Sequence, residues 1–225
     1  MQMRQLCCRV AALVCAAIVL PIAAANATTL YLSEYSSDET PAADLSAVMN
    51  FSVMGSTLTL TVTNNTNMTT SGYNMNQLFF NTSNDVTNLM LTGANGSMDG
   101  NNLQHWTLNA AVTGQSIATK ADGFGKFDWS LLDGVNGNAS TVHPTEVQTF
   151  TLAITCAMGV TCDASDFGLE ASSGKGTHVF AAAKFVSGPY GDSAFGGTTI
   201  IPEPSTAALL GLGLAALGLR RRSAR

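Results

Sequence analysis

The side chains able to do chemistry are few and scattered along the chain. Histidine occurs at His105, His143 and His178, without the H-E-x-x-H, H-x-H or Cys/His spacing that metal catalysis needs, so each reads as a surface or strand-face residue. Two acidic groups, Asp122-Gly-Phe-Gly-Lys-Phe-Asp128 and Asp163-Ala-Ser-Asp166, offer oxygen ligands suited to calcium. Neither keeps the alternating Asp/Asn pattern of a calcium loop, which places turn chemistry ahead of calcium. No Gly-x-Ser-x-Gly marks an activated serine, and Ser172-Ser173-Gly174 reads as a loop. A glycosidase needs two carboxylates across a cleft, which is a geometry and not a spacing. The aromatic set Trp106, Phe124, Phe127, Trp129 and Tyr190 has two readings, a sugar-stacking platform or core positions on strands, with the core reading ahead. Catalytic residues, metal ligands and cofactor-binding residues are accordingly read as none.

The elements that would position these residues begin after an export signal. Arg4 and Arg9 precede an apolar run from Val10 to Leu20, followed by Pro21 and the small-residue end Ala25-Asn26-Ala27. This pattern predicts a secretory signal peptide over residues 1–27, helical in its apolar part, taken by the Sec machinery and cleaved after Ala27. Val14 before Cys15 is too large for a lipoprotein cleavage site, so Cys7, Cys8 and Cys15 depart with the signal. Cys156 and Cys162 remain, six positions apart around Gly159. In an exported chain that spacing favours a local disulfide over a metal pair, because no second pair or nearby histidine completes a ligand set.

Removing the two ends leaves about 174 residues, enough for one domain with a proper core. Between Thr28 and Ile201 there are four lysines, no arginine and fourteen carboxylates, a net of −10. Such a surface repels nucleic acid and anionic lipid, so nucleic acid is excluded as a partner. The remaining composition is rich in Asn, Thr, Ser, Gly and Ala, the usage of a polar β-rich surface protein. The sequons at Asn64, Asn67, Asn81, Asn95 and Asn138 are expected by chance in such a chain, and glycosylation is not read from them.

Apolar alternation sets the fold class. Ala47–Val53 leads through Met54-Gly55-Ser56 into Thr57–Thr63, where every even position is aliphatic and every odd one threonine, a β-hairpin with one solvated face. Further strands are predicted at Thr28–Leu32, Gln77–Asn81, Val86–Leu91, Leu103–Ala111, Phe124–Trp129, Thr149–Cys156, Phe167–Glu170 and Val179–Val186. Strands at this spacing without convincing helices predict an all-β fold, a single antiparallel β-sandwich over residues 28–187, jelly-roll-like. Residues 188–200, rich in Gly and Thr, read as a flexible linker.

The last stretch, 201–225, combines Pro202-Glu203-Pro204, a run of only Ala, Leu and Gly from Ala207 to Leu219, and Arg220-Arg221-Arg222. As a helix the thirteen residues from Ala207 to Leu219 rise about 20 Å, short of the roughly 30 Å hydrocarbon core. Counting from Pro204 and letting the arginines snorkel recovers part of the deficit, which predicts a short transmembrane helix over 204–220. The arginines place that end in the cytoplasm and the domain outside.

These three parts in this order resemble the PEP-CTERM sorting signal of Gram-negative bacteria. The resemblance covers about 25 of the 225 residues. It implies recognition of Pro202, Glu203 and Pro204 by an exosortase, a membrane-embedded transpeptidase-like enzyme, and association with extracellular polysaccharide. The expected protein is exported, held at the inner membrane before processing, and afterwards retained at the cell surface or in the extracellular matrix. Its expected role is non-enzymatic; a carbohydrate-binding module is the alternative, and a secreted hydrolase ranks third.

Overall fold

The computed structural model describes residues 27–35, 45–67, 73–96, 100–101, 103, 105–111, 119–134, 141–186 and 193–198. Residues 1–26 of the signal segment, Ala25 among them, most of the expected linker and the whole of 201–225, with its expected helix 204–220, lie outside the described residues. No helix among the described residues is long and apolar enough to cross a membrane.

The strands are β1 (Ala27–Leu32), β2 (Glu34–Tyr35), β3 (Ala47–Met54), β4 (Thr57–Asn64), β5 (Asn74–Phe80), β6 (Val86–Gly96), β7 (Gly100–Asn101), β8 (Trp106–Ala110), β9 (Lys120–Ala121), β10 (Gly125–Lys126), β11 (Trp129–Asp133), β12 (Val147–Cys156), β13 (Ala181–Val186) and β14 (Ala194–Thr198). They form two antiparallel sheets, ordered β1-β3-β4-β12-β6-β7 and β2-β14-β13-β5-β11-β8, plus the small ribbon β9-β10. The expected all-β, two-sheet architecture is present. A 3-10 turn at Ala164–Asp166 interrupts the β structure.

The β3–β4 hairpin closes through Gly55-Ser56, with Met54 opposite Thr57. Gly55 has φ +60°, the left-handed value a two-residue hairpin loop requires at its first position. Leu58, Leu60 and Val62 of β4 are fully buried while its threonines face outward. The core lies between the sheets: Phe51 of β3 meets Phe80 of β5 edge-on at 5.5 Å, and Trp106 of β8 meets Phe150 of β12 at 4.9 Å. Each such buried ring stabilises the fold by about 1.5–3 kcal/mol through apolar burial.

Three expectations about strands are corrected. Phe124–Trp129 is not one strand, because Gly123 and Gly125 have φ +75° and +89° and break the extended run. The segment instead holds β10, and the sheet strand starts at Trp129. Phe167–Glu170 is not a strand either. Phe167 makes one isolated bridge to Thr82 and stacks on Phe51 at 6.0 Å, and Gly168 then turns at φ +70°. Its apolar character comes from plugging the sandwich. Lastly, Ala194–Thr198, expected within the flexible linker, forms β14, laddered to β13 and to β2. Its Gly and Thr content is a packing requirement: a Cβ on Gly197 would press on Phe124 and Val179 at 3.1 Å.

Candidate functional site

The second sheet carries side chains for two cores. On β5, Leu78 and Phe80 face the sandwich interior while Phe79 faces the opposite way, and on β13 Ala182 does the same between Ala181 and Ala183. Phe79 and Ala182 would be exposed unless something lay over them. The β9–β10 ribbon and the loop 172–179 supply that cover, burying Ala121, Phe124, Phe127 and Val179 against them. Phe79 lies 5.6 Å from Phe127 and 6.2 Å from Phe195.

The cap is built by close approach of two backbones. Lys126 and Ser173 exchange both main-chain hydrogen bonds, at 2.8 and 2.9 Å, and Thr177 donates to the Gly123 carbonyl at 2.9 Å. Ser172, buried, donates its hydroxyl to the Phe124 carbonyl and accepts from the Val179 N–H at 3.1 Å. A Cβ on Gly125 would collide with the Ser173 carbonyl, and one on Gly176 with the Gly123 carbonyl. Glycine is required at both contacts.

Where the two loops meet, an open cavity of about 510 Å³ is lined by Lys120, Lys126 and Lys175 together with glycine backbone. Lys120 and Lys126 are direct register partners across the ribbon, both exposed. Like charges placed opposite one another destabilise a strand pair. None of the three lysines forms an ion pair with a described residue. The Asp122 carboxylate, also at the rim, accepts a hydrogen bond from the Gly123 N–H at 3.1 Å. Three of the four lysines between Thr28 and Ile201 thus converge on one cavity of a domain whose net charge is −10. Sequence reasoning missed this cluster, although Lys120 and Lys126 bracket a Gly-rich turn; what brings Lys175 to them is the clasp between loops some fifty positions apart.

The other candidate residues have structural positions. Trp106, Phe124, Phe127 and Trp129 are all at most 5% exposed, so they form no stacking platform, and Tyr190 lies outside the described residues. Trp129 donates its indole N–H to Thr82 Oγ1 at 3.1 Å. The Asp163 carboxylate accepts from the Ser165 N–H, and Asp166 accepts from the Asp163 N–H, each at 2.7 Å, a capping box on the 3-10 turn. Asp128 accepts from the Thr82 N–H at 3.1 Å. Asp122, Asp163 and Asp166 therefore do the turn chemistry expected of them, while Asp128 ties its segment to the distant Thr82 backbone. Among the described residues no group of three or more His, Cys, Asp or Glu side chains could hold a metal ion.

His105 and His143 belong to loops at strand ends, and His178 lies exposed with Nε2 3.2 Å from the Gly174 carbonyl. Cys156 and Cys162 are at disulfide distance, S–S 2.09 Å, and close the loop that carries exposed Met158. Two of the sequon asparagines are buried and structural. Asn64 donates to the carbonyls of Tyr73 and Val142 at 2.8 and 2.9 Å, and Asn81 accepts from the Asp128 N–H at 2.8 Å while donating to the Glu170 carbonyl.

Beyond the domain, residues 201–222 match the family model described as the PEP-CTERM protein-sorting motif. The chain carries a PEP-CTERM sorting motif. The motif implies an exported, membrane-processed protein of the kind an exosortase recognises. The matched PEP-CTERM segment contains Pro202, Glu203, Pro204 and Arg220 to Arg222. Neither a curated protein nor a solved structure matches the chain. The last described residue before the PEP-CTERM segment, Thr198, ends β14 and is paired with Ala181.

Proposed function

We propose that the chain is a non-enzymatic surface or matrix protein, delivered through its PEP-CTERM motif and retained outside the cell after processing. Pro202, Glu203 and Pro204 would be the recognition element, residues 204–220 the transient anchor, and Arg220, Arg221 and Arg222 the charges that orient it. The observation that carries the reading is the motif match at residues 201–222. Cleavage after Ala27 would leave Thr28 at the mature start, where its hydroxyl already bonds the Ala164 carbonyl at 2.7 Å. Disulfide pairing of Cys156 with Cys162 suits an oxidising compartment. The non-enzymatic part is supported by the carboxylates of Asp128, Asp163, Asp166 and Glu146, each of which accepts from a backbone N–H in a turn or loop. With four of the five candidate aromatics in the core, the stacking route to a carbohydrate-binding module has no support from them.

The test is the intact mass of the protein recovered from its host, from envelope and medium separately. Loss of mass beyond the Pro-Glu-Pro region in the wild type, abolished by replacing Pro202, Glu203 and Pro204 with alanine, is the expected result. A mass ending at Arg225 in the membrane fraction alone would make the segment a plain anchor and overturn the reading.

A further inference from the structure

We infer that the cavity between the β9–β10 ribbon and the 172–179 loop is a binding site for the carboxylates of an acidic polysaccharide. The charge distribution is the first reason. Outside the cavity the described side chains include one lysine, Lys184, against seven carboxylates, so a polyanion meets mostly repulsion away from it. Non-specific attraction cannot substitute for a local site. The arrangement is the second reason: Lys120 and Lys126 sit opposite each other at a cost to the ribbon, unpaired with any described carboxylate, and a bound anion would relieve that repulsion.

The form of the cavity bears on the class of anion carrier. It is open, with main chain from glycine-rich loops, including Gly123, Gly125 and Gly176, beside the three lysines. A bare inorganic anion would leave most of that volume unfilled, whereas a sugar unit bearing a carboxylate fills more of it. The size, about 510 Å³, falls within the range of roughly 300–1,000 Å³ typical of small-ligand sites. Lysines act as mobile point charges without bidentate geometry, so single contacts are weak and a repeating polyanion gains through multivalency.

The inference is independent of the sorting reading, since processing and binding are read separately. Affinity electrophoresis of the 225-residue chain in non-ionic detergent, through gels containing polygalacturonate, dextran sulfate or neutral dextran, tests it. Polygalacturonate should retard the wild type, neutral dextran should not, and millimolar inorganic phosphate should fail to compete. The triple variant K120Q/K126Q/K175Q should lose roughly tenfold or more in affinity, the effect of three exposed charge contacts, while K184Q binds as the wild type does. Should the triple variant melt early, K175Q alone, in the loop outside the ribbon, should still weaken binding about twofold or more. Equal retardation of wild type and charge variants, retardation by neutral dextran, retardation by dextran sulfate alone, or displacement by phosphate would each overturn the assignment.

Discussion

The two sheets have the same number of strands and the same antiparallel ladders, yet their outer faces differ. On the first sheet the outward positions run across strands as Thr29, Asn50, Thr61 and Thr149, with Ser52, Thr59 and Thr151 in the neighbouring row. These side chains are half-buried by one another, and none is charged. On the second sheet the outward positions are Phe79, Ala182 and Phe195, covered by a cap. A sheet solvated on one side needs only alternation, whereas a sheet buried on both sides needs a further layer. That layer is where the lysines are gathered. The polar face is the sheet's own surface, but the covered face makes a concavity, because two loops meeting over a core leave a gap between them.

The contrast can be tested by substitutions ordered by expected effect. Phe79→Ala, on the covered face, should destabilise by about 3–5 kcal/mol, comparable with Phe51→Ala in the sandwich core. A loss below about 1 kcal/mol in urea unfolding would mean the cap does not cover that face in solution. Asn64→Ala, which removes the buried amide bonded to the Tyr73 and Val142 carbonyls and takes the side-chain acceptor from the Thr66 N–H, should cost about 2–3 kcal/mol in the same assay. Replacing Cys156 and Cys162 together with serine should cost about 2 kcal/mol for so short a loop, read as a lower urea midpoint at unchanged slope. Gly176→Ala sharpens the comparison, since its Cβ would strike the Gly123 carbonyl. It should cost about 1–3 kcal/mol, with faster hydrogen exchange at Thr177 and Lys126 than at β4 amides. Thr61→Val, on the open face, should stay within about 0.5 kcal/mol of wild type by thermal melting. A larger shift would show that this face is not simply solvated.

The same difference explains what could be read from the sequence. The first sheet was legible because Thr57–Thr63 alternates without a fault, and the ends of β1, β3 and β4 match expectation within a residue. The second was less so. Ala181-Ala182-Ala183 and Leu78-Phe79-Phe80 do not alternate, since both faces are buried, and small residues such as Gly196 and Gly197 gave β14 the composition of a linker. The cysteine pair was legible from spacing and compartment. The lysine cavity was not, because Lys120 and Lys175 become neighbours only through a clasp that positive-φ glycines permit. Trp106 and Trp129 were read as core ahead of a stacking platform because they lie in strand-like runs, and both are buried.

Strand β14 also sets a clearance. Its last residue, Thr198, belongs to an interior strand, and beside it the Ser33 N–H bonds the Gly197 carbonyl at 3.2 Å. From Thr198 to Pro202 is four residues, which even fully extended span at most about 14 Å. If cleavage falls at Pro202, the enzyme must therefore reach a bond within that distance of the strand end.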